Sequence, residues 1–221
     1  GEVPEYARTL VPPLPFDEMD LSPYAVIVMG SNNAIYPSES IDALEDYIRQ
    51  GGGALFISDA NFGGDWSDAS NSDQQFLDRF GLVMNQDQGT YVLRRSNDDF
   101  LQLDHPILAG IDAFDGEGVS PINADEAGQV IVRARGNTRV NSPPFGSNNQ
   151  GASRPVTLSD GALTLLAPDA GRIAGHFDRN TFFNLNGAGT DIRRFDNRQY
   201  ALNLIAWLAK DDAVFQDQFE N

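Results

Sequence analysis

Tyr24–Ala25–Val26–Ile27–Val28–Met29 is an unbroken apolar run that stops at Gly30–Ser31–Asn32–Asn33, and Gly53–Ala54–Leu55–Phe56–Ile57–Ser58–Asp59 repeats the pattern. Neither run alternates polar with apolar residues. A short strand needs no polar face when both of its sides are covered, so each reads as a central strand of a parallel sheet. Between them lies a helix. Ser38 suits its cap, Glu39 favours the positive end of the helix dipole, and Ile41, Leu44, Tyr47 and Ile48 fall on one face. Gly51–Gly52–Gly53 ends it. Strand, helix and strand in this order make a right-handed βαβ unit, which points to an α/β fold.

Outward from this unit the chain remains legible. Residues 1–23 carry Pro12, Pro13, Pro15 and Pro23 and read as an arm or linker. Gln74 to Phe80 predicts a short helix stopped by Gly81, and Tyr91–Val92–Leu93 predicts a peripheral strand. Asp104–His105–Pro106–Ile107 predicts a turn into a short helix, with His105 structural. Gln129 to Ala134, Leu163 to Ala167 and Arg172 to Phe177 predict further strands. Asn137 to Ser153, rich in Asn, Ser, Gly and Pro, reads as a long loop. A last helix is capped by Asp196 or Asn197, carries Ala201, Leu204, Ile205 and Leu208 at helical spacing, and uses Trp207 as a buried anchor. The expected organisation is an arm (1–23), one α/β domain (24–210) and an acidic tail (211–221).

Composition excludes several function classes. The 32 acids against 15 bases give a formal charge of −17, and Lys210 is the only lysine. Such a surface repels phosphate, so neither nucleic acid nor anionic lipid is expected as a partner. No apolar run approaches the roughly 20 residues of a membrane-spanning helix, so no membrane insertion is expected. Dense carboxylates suit a salty setting, extracellular or periplasmic, where self-repulsion is screened. They also suit calcium. Zero cysteines remove disulfides, thiolate zinc sites and thiol nucleophiles. With His105 and His176 the only histidines, a multi-histidine metal site is also set aside.

The order of motifs resembles the class I glutamine amidotransferase-like superfamily over roughly residues 20–210. The motifs are the strand ending at Gly30, the glycine cluster before Ala54–Ser58, Asp104–His105–Pro106–Ile107, Gly171–Arg172–Ile173–Ala174–Gly175–His176–Phe177–Asp178, and the helix ending in Ala206–Trp207–Leu208–Ala209. The branch it is most similar to lacks amidotransferase activity and is related to domains in gliding-motility transporters, intraflagellar transport proteins and some β-galactosidases. The resemblance implies a flavodoxin-like three-layer sandwich with a mostly parallel sheet and a crevice at the strands' C-terminal ends. It also implies a nucleophile elbow at Ser58 or Asp59 and a partner histidine at His176. No cysteine stands at that elbow, so thiolate glutaminase chemistry is excluded.

Three candidate sites follow. Ser58, His176 and Asp178 offer the residue types of a hydrolase triad, although no G-x-S-x-G surrounds Ser58. The plain alternative is a serine that closes a strand and a histidine satisfied by backbone carbonyls. Asp59, Asn61, Asp65 and Asp68 offer oxygen ligands for calcium, or a turn-rich loop whose side chains bond their own backbone. His176, Asp178, Arg179, Asn180 and Asn184, with Phe182 and Phe183 beside them, offer hydrogen-bonding groups and aromatic faces for a glycan or other polar small molecule, or else an internal role in which Arg179 pairs with Asp178 or Asp191 and the two phenylalanines are buried under the sheet. Ser31, Asn32, Asn33, Asp59, Asn61 and Trp66 would complete that crevice. The favoured function is a non-catalytic ligand-binding or interaction module, part of a larger protein with flanking domains or of a secreted one, and binding a carbohydrate or similar polar molecule. The alternative is a hydrolase of ester or glycosidic substrates, using Ser58 and His176 or a carboxylate pair from Asp59 and Asp178. A third reading is a structural domain whose own loops fill the crevice.

Overall fold

A computed structural model describes residues 14–30, 35–58, 69–85, 90–124, 128–135, 156–184 and 191–211. In chain order the elements are β1 (Val26–Met29), α1 (Ser38–Arg49), β2 (Gly53–Ile57), α2 (Ala69–Leu77), β3 (Val83–Met84), β4 (Thr90–Arg94) and β5 (Ala113–Glu117). They continue with β6 (Ile122–Asn123), β7 (Gln129–Arg133), β8 (Asp160–Leu166), β9 (Arg172–His176) and α3 (Asn197–Leu208). The main sheet has 7 strands in the order β1-β2-β9-β8-β6-β3, with β7 pairing β8, while β4 and β5 form a separate antiparallel pair. Among the described strands the β1-β2 and β2-β9 ladders alone are parallel; β8 runs antiparallel to β9, β7 and β6, and β3 to β6. The sheet is therefore mixed, which makes this an α/β domain with a parallel half and an antiparallel half.

β2 shows why the parallel half is stable. All of its residues are buried. Leu55 and Ile57 enter one apolar cluster, with Phe114, Ala174, Tyr200 and Leu204, while Ala54 and Phe56 enter the other, with Leu44, Ile48 and Phe76. Alternation along a strand sends successive side chains to opposite faces, so one continuous apolar run feeds two cores. Each large side chain fully buried in this way contributes about 2 kcal/mol.

α1 buries Leu44 and Ile48, with Ile41 and Tyr47 at the margin. Its cap differs from the expected one: Pro37 occupies the cap position with no side-chain bond, and Ser38 is the first helical residue. The second core also reaches into the expected arm, where Phe16 is buried and stacks on Tyr36 at 5.8 Å.

On the other face α3 presents Tyr200, Leu204 and Leu208 one turn apart. Asn203 on the same helix donates to the carbonyls of Ile107 and Ala109, clamping the 3-10 turn Pro106–Leu108. His105 caps that turn by accepting the Ile107 N–H, in line with its structural reading. Asp196 holds the cap position of α3, but its carboxylate accepts from the N–H groups of Asp112 and Ala113 and so ties the helix start to β5. Trp207 is partly buried rather than a core anchor, with the Arg172 guanidinium 5.0 Å from its ring.

β1 departs most from expectation. Among the described strands it lies at the edge of the sheet rather than in its centre, and Val28 in its middle is 50% exposed.

Candidate functional site

The end of β9 delivers His176 into a pocket of aromatic rings. Its imidazole lies 4.6 Å from Phe182, 5.1 Å from Phe177 and 5.4 Å from Tyr200, measured between ring centroids, and the residue is fully buried. Three other elements close around it. β5 contributes Asp115, the 3-10 turn Asn180–Phe182 contributes Thr181, and the first turn of α3 contributes Asn197 and Tyr200. Gly116 makes the fit possible: a Cβ there would stand 2.6 Å from the Phe177 ring.

The hydrogen bonds assign the protons. The Thr181 hydroxyl donates to the Asp115 carbonyl across 2.7 Å, so towards His176 Nε2, 3.0 Å away, it acts as acceptor. Nε2 therefore carries the hydrogen. Nδ1 is then an acceptor, and the Tyr200 hydroxyl donates to it across 3.0 Å. The ring is neutral. Burial drives its pKa down to about 3, against a smaller opposing effect of the Asp178 backbone. Burial likewise holds the Tyr200 phenol well above its ordinary value. Both nitrogens are committed, and a histidine in this state is no proton acceptor at neutral pH.

Asp115 is the second buried member. Its N–H donates to Asn197 Oδ1 at 3.1 Å, and Asn197 Nδ2 returns a bond to its carboxylate at 2.9 Å while also reaching the Asp191 carbonyl at 2.8 Å. Arg194 Nε stands 2.9 Å from the other carboxylate oxygen, near enough for charge attraction but not aligned as a hydrogen bond. Burial raises the Asp115 pKa, and the Asn197 bond and then the Arg194 charge partly offset it. Arg193 clasps the Asp191 carboxylate with its side chain and its N–H.

The expected triad is not assembled. Ser58 meets His176 through the main chain, its N–H donating to the His176 carbonyl at 2.8 Å. Its hydroxyl is buried and has no hydrogen-bond partner among the described residues. Asp178 does not orient the imidazole with its carboxylate; that group accepts the N–H groups of Glu117 at 2.7 Å and Asn180 at 3.0 Å, fixing the turn after β9. The His176 ring is satisfied inside the protein, but by the hydroxyls of Tyr200 and Thr181 and not by the backbone carbonyls expected.

Of the proposed ligand-contacting residues, Arg179 and Asn180 are half-buried and Asn184 is exposed. The Arg179 guanidinium lies 5.7 Å from the Phe183 ring. Ser31, Asn32, Asn33, Asp59, Asn61 and Trp66 lie outside the described residues, as do Asp65 and Asp68 of the calcium proposal. Among the described residues no cluster of acids and histidines is arranged to hold a metal ion. No described helix is long and apolar enough to cross a membrane. A groove of about 720 Å³ opens at the opposite end of the strands, lined by Asp17, Asp20, Tyr24, Asp46, Tyr47 and Lys210 among others.

Sequence reasoning missed Asp115, Tyr200 and Arg194 as members of this cluster. Tyr200 had a usable signal, since it stands four residues before Leu204 and eight before Leu208 on the buried face of α3.

The fold and the cluster define an α/β domain whose strand-end histidine is sealed inside the protein. No family model matches the chain, and no curated protein matches it. Solved structures do. The cytoplasmic protein STM1381 from Salmonella typhimurium LT2 superposes with a TM-score of 0.58 at 14% identity, covering 91% of this chain and 78% of that one. The mmIFT52 N-terminal domain gives 0.56 at 13% identity, covering 84% and 77%. A ThuA-like protein from Bacteroides uniformis ATCC 8492 gives 0.47 at 17% identity, covering 88% and 72%. At these identities the likeness is one of fold. The IFT52 domain is of the kind to which the sequence resemblance pointed.

Proposed function

We propose that this chain is a non-catalytic binding or interaction module, built on a flavodoxin-like three-layer variant of the amidotransferase-like fold. The sealed state of His176 carries the reading. An imidazole with both nitrogens bonded, no exposure and a pKa near 3 has no proton to offer or accept at neutral pH. The aromatic and polar side chains outside the seal, Arg179, Asn180, Phe183 and Asn184, form the candidate contact surface. A glycan is the favoured ligand, because an aromatic face packs on sugar C–H groups while amides and guanidinium bond hydroxyls. The acidic surface supports a salty, extracytoplasmic setting.

A panel of soluble mono- and oligosaccharides, read by thermal shift beside ester and glycoside turnover, tests this. The expected result is a shift with at least one glycan, lost in Asn184→Ala, and no turnover. Turnover that falls in Asp178→Asn or His176→Gln at unchanged melting temperature would replace the module with a hydrolase.

A further inference from the structure

β1 has the sequence of a covered strand and the position of an uncovered one. Val26, Ile27, Val28 and Met29 contain no charge, no proline and, in their pairing with β2, no bulge, the usual devices that keep a sheet edge from pairing. The register fixes which backbone groups are free. Gly53 N–H donates to the Ala25 carbonyl, and Val26 stands opposite Gly53 and Val28 opposite Leu55. In a parallel ladder this phase turns the N–H and C=O of Ile27 and Met29 towards β2, and those of Val26 and Val28 outward. No described strand takes up the outward groups. Val28 is 50% exposed and Tyr24, just before the strand, 51%.

Charge indicates what would pair there. The chain carries −17 overall, so a second copy approaches against repulsion. Beside the start of β1 the groove presents Asp17, Asp20 and Asp46. Lys210, also on that groove, spends its ammonium on the carbonyls of Gly51 and Ala170 at 2.8 and 2.6 Å.

We propose that the outer edge of β1 is a docking site for an extended, basic segment of a partner protein, which adds a strand to the sheet. Main-chain bonds to Val26 and Val28 supply affinity, alternate apolar side chains cover Val28 and Tyr24, and lysine or arginine residues face the aspartates. The proposal extends the interaction-module reading to a second surface. Peptide binding and the glycan shift are read in separate assays, so either fails without the other.

The test uses a fluorescein-labelled peptide of alternating valine and lysine, about eight residues long, with its valine–glutamate counterpart as control. Binding is followed by anisotropy, and amide exchange is measured at Val26 and Val28. The expected result is binding of the lysine peptide only, slowed exchange at both amides, and weakening with added salt. Val28→Pro removes an outward N–H and leaves the β2 ladder intact, so it should abolish binding. Val28→Lys, which keeps the N–H but opposes the peptide's charge, should weaken it by about tenfold. Equal binding of the glutamate peptide, binding without exchange protection, no binding at all, or unchanged binding by both variants at native melting temperature would overturn the proposal. So would a homodimer that Val28→Lys dissociates, which would make the occupant a second copy.

Discussion

The Tyr200 hydroxyl donates to Nδ1 of His176 across 3.0 Å, joining the first turns of α3 to the end of β9 inside the apolar core. Removing that hydroxyl leaves the ring nitrogen buried without a donor. Tyr200→Phe keeps the stack on Phe114, whose ring is 4.3 Å away and tilted by 2°. The substitution should therefore cost the unsatisfied acceptor alone, about 1–3 kcal/mol. Urea unfolding with an unchanged slope is the measurement, and a loss below about 0.5 kcal/mol would mean that the bond contributes nothing net.

Stability should depend on pH through the same ring. The folded pKa of His176 is about 3 against an ordinary 6.5, so the unfolded chain binds the extra proton between these values. Its contribution is fully present above pH 6.5 and is lost as pH falls towards 3, on the order of 5 kcal/mol in total. His105 acts in the same direction, its pKa lowered by burial and then by the Arg172 charge. His176→Gln should flatten the fall in melting temperature between pH 6.5 and 5 without abolishing it. A variant as acid-sensitive as the parent would show that the ring does not titrate in this window.

Asp115 and Asn197 offer a charge-dependent comparison. Asn197→Ala removes the bonds at 2.9 and 2.8 Å to the Asp115 carboxylate and the Asp191 carbonyl and should cost roughly 2–4 kcal/mol. Asn197→Asp also sets a second carboxylate against the first and should be worse at pH 7. The Asp115 pKa is already raised, so its carboxyl regains a proton early on acidification. The gap between the two variants should therefore narrow towards pH 4.5. Thermal denaturation at both pH values checks it, and a constant gap would place the cost in packing rather than charge.

The elements that sequence reading located are those whose local pattern and tertiary position agree. β2 is an apolar run buried along its whole length, β9 is buried from Ile173 to His176, and α1 buries Leu44 and Ile48 of its expected face. On α3 Leu204 and Leu208 are buried as expected, whereas Ile205 is 38% exposed and Tyr200 takes a core position instead. β5 escaped because Asp115–Gly116 inside it reads as a turn, and only the packing of Phe177 and Asn197 shows why both residues stand in a strand. β1 was misplaced because an apolar run carries no mark of what covers it. Ser58 and His176 were joined because both lie at strand ends, and their main chains do touch. What the ring binds is decided by Thr181 and Tyr200, which reach it from two separate elements, and no motif encodes that convergence.

Ser58 separates the two functional readings most cheaply. Its hydroxyl is buried and has no partner among the described residues, while its N–H bond to the His176 carbonyl belongs to the backbone and survives substitution. Burying a hydroxyl without a bond costs free energy, so Ser58→Ala should leave stability unchanged or raise it by up to about 1 kcal/mol. A nucleophile behaves in the opposite way. Its loss abolishes turnover, and a serine held for catalysis at the expense of stability would show both effects together. Melting temperature and ester turnover measured on the same preparations separate the cases. A variant as stable as the parent or more so, with no turnover in either protein, leaves Ser58 as a strand-end residue and keeps the module reading. Parental turnover lost in Ser58→Ala would mean that His176 is not the base, because its nitrogens are taken, and another group beside the hydroxyl would have to serve.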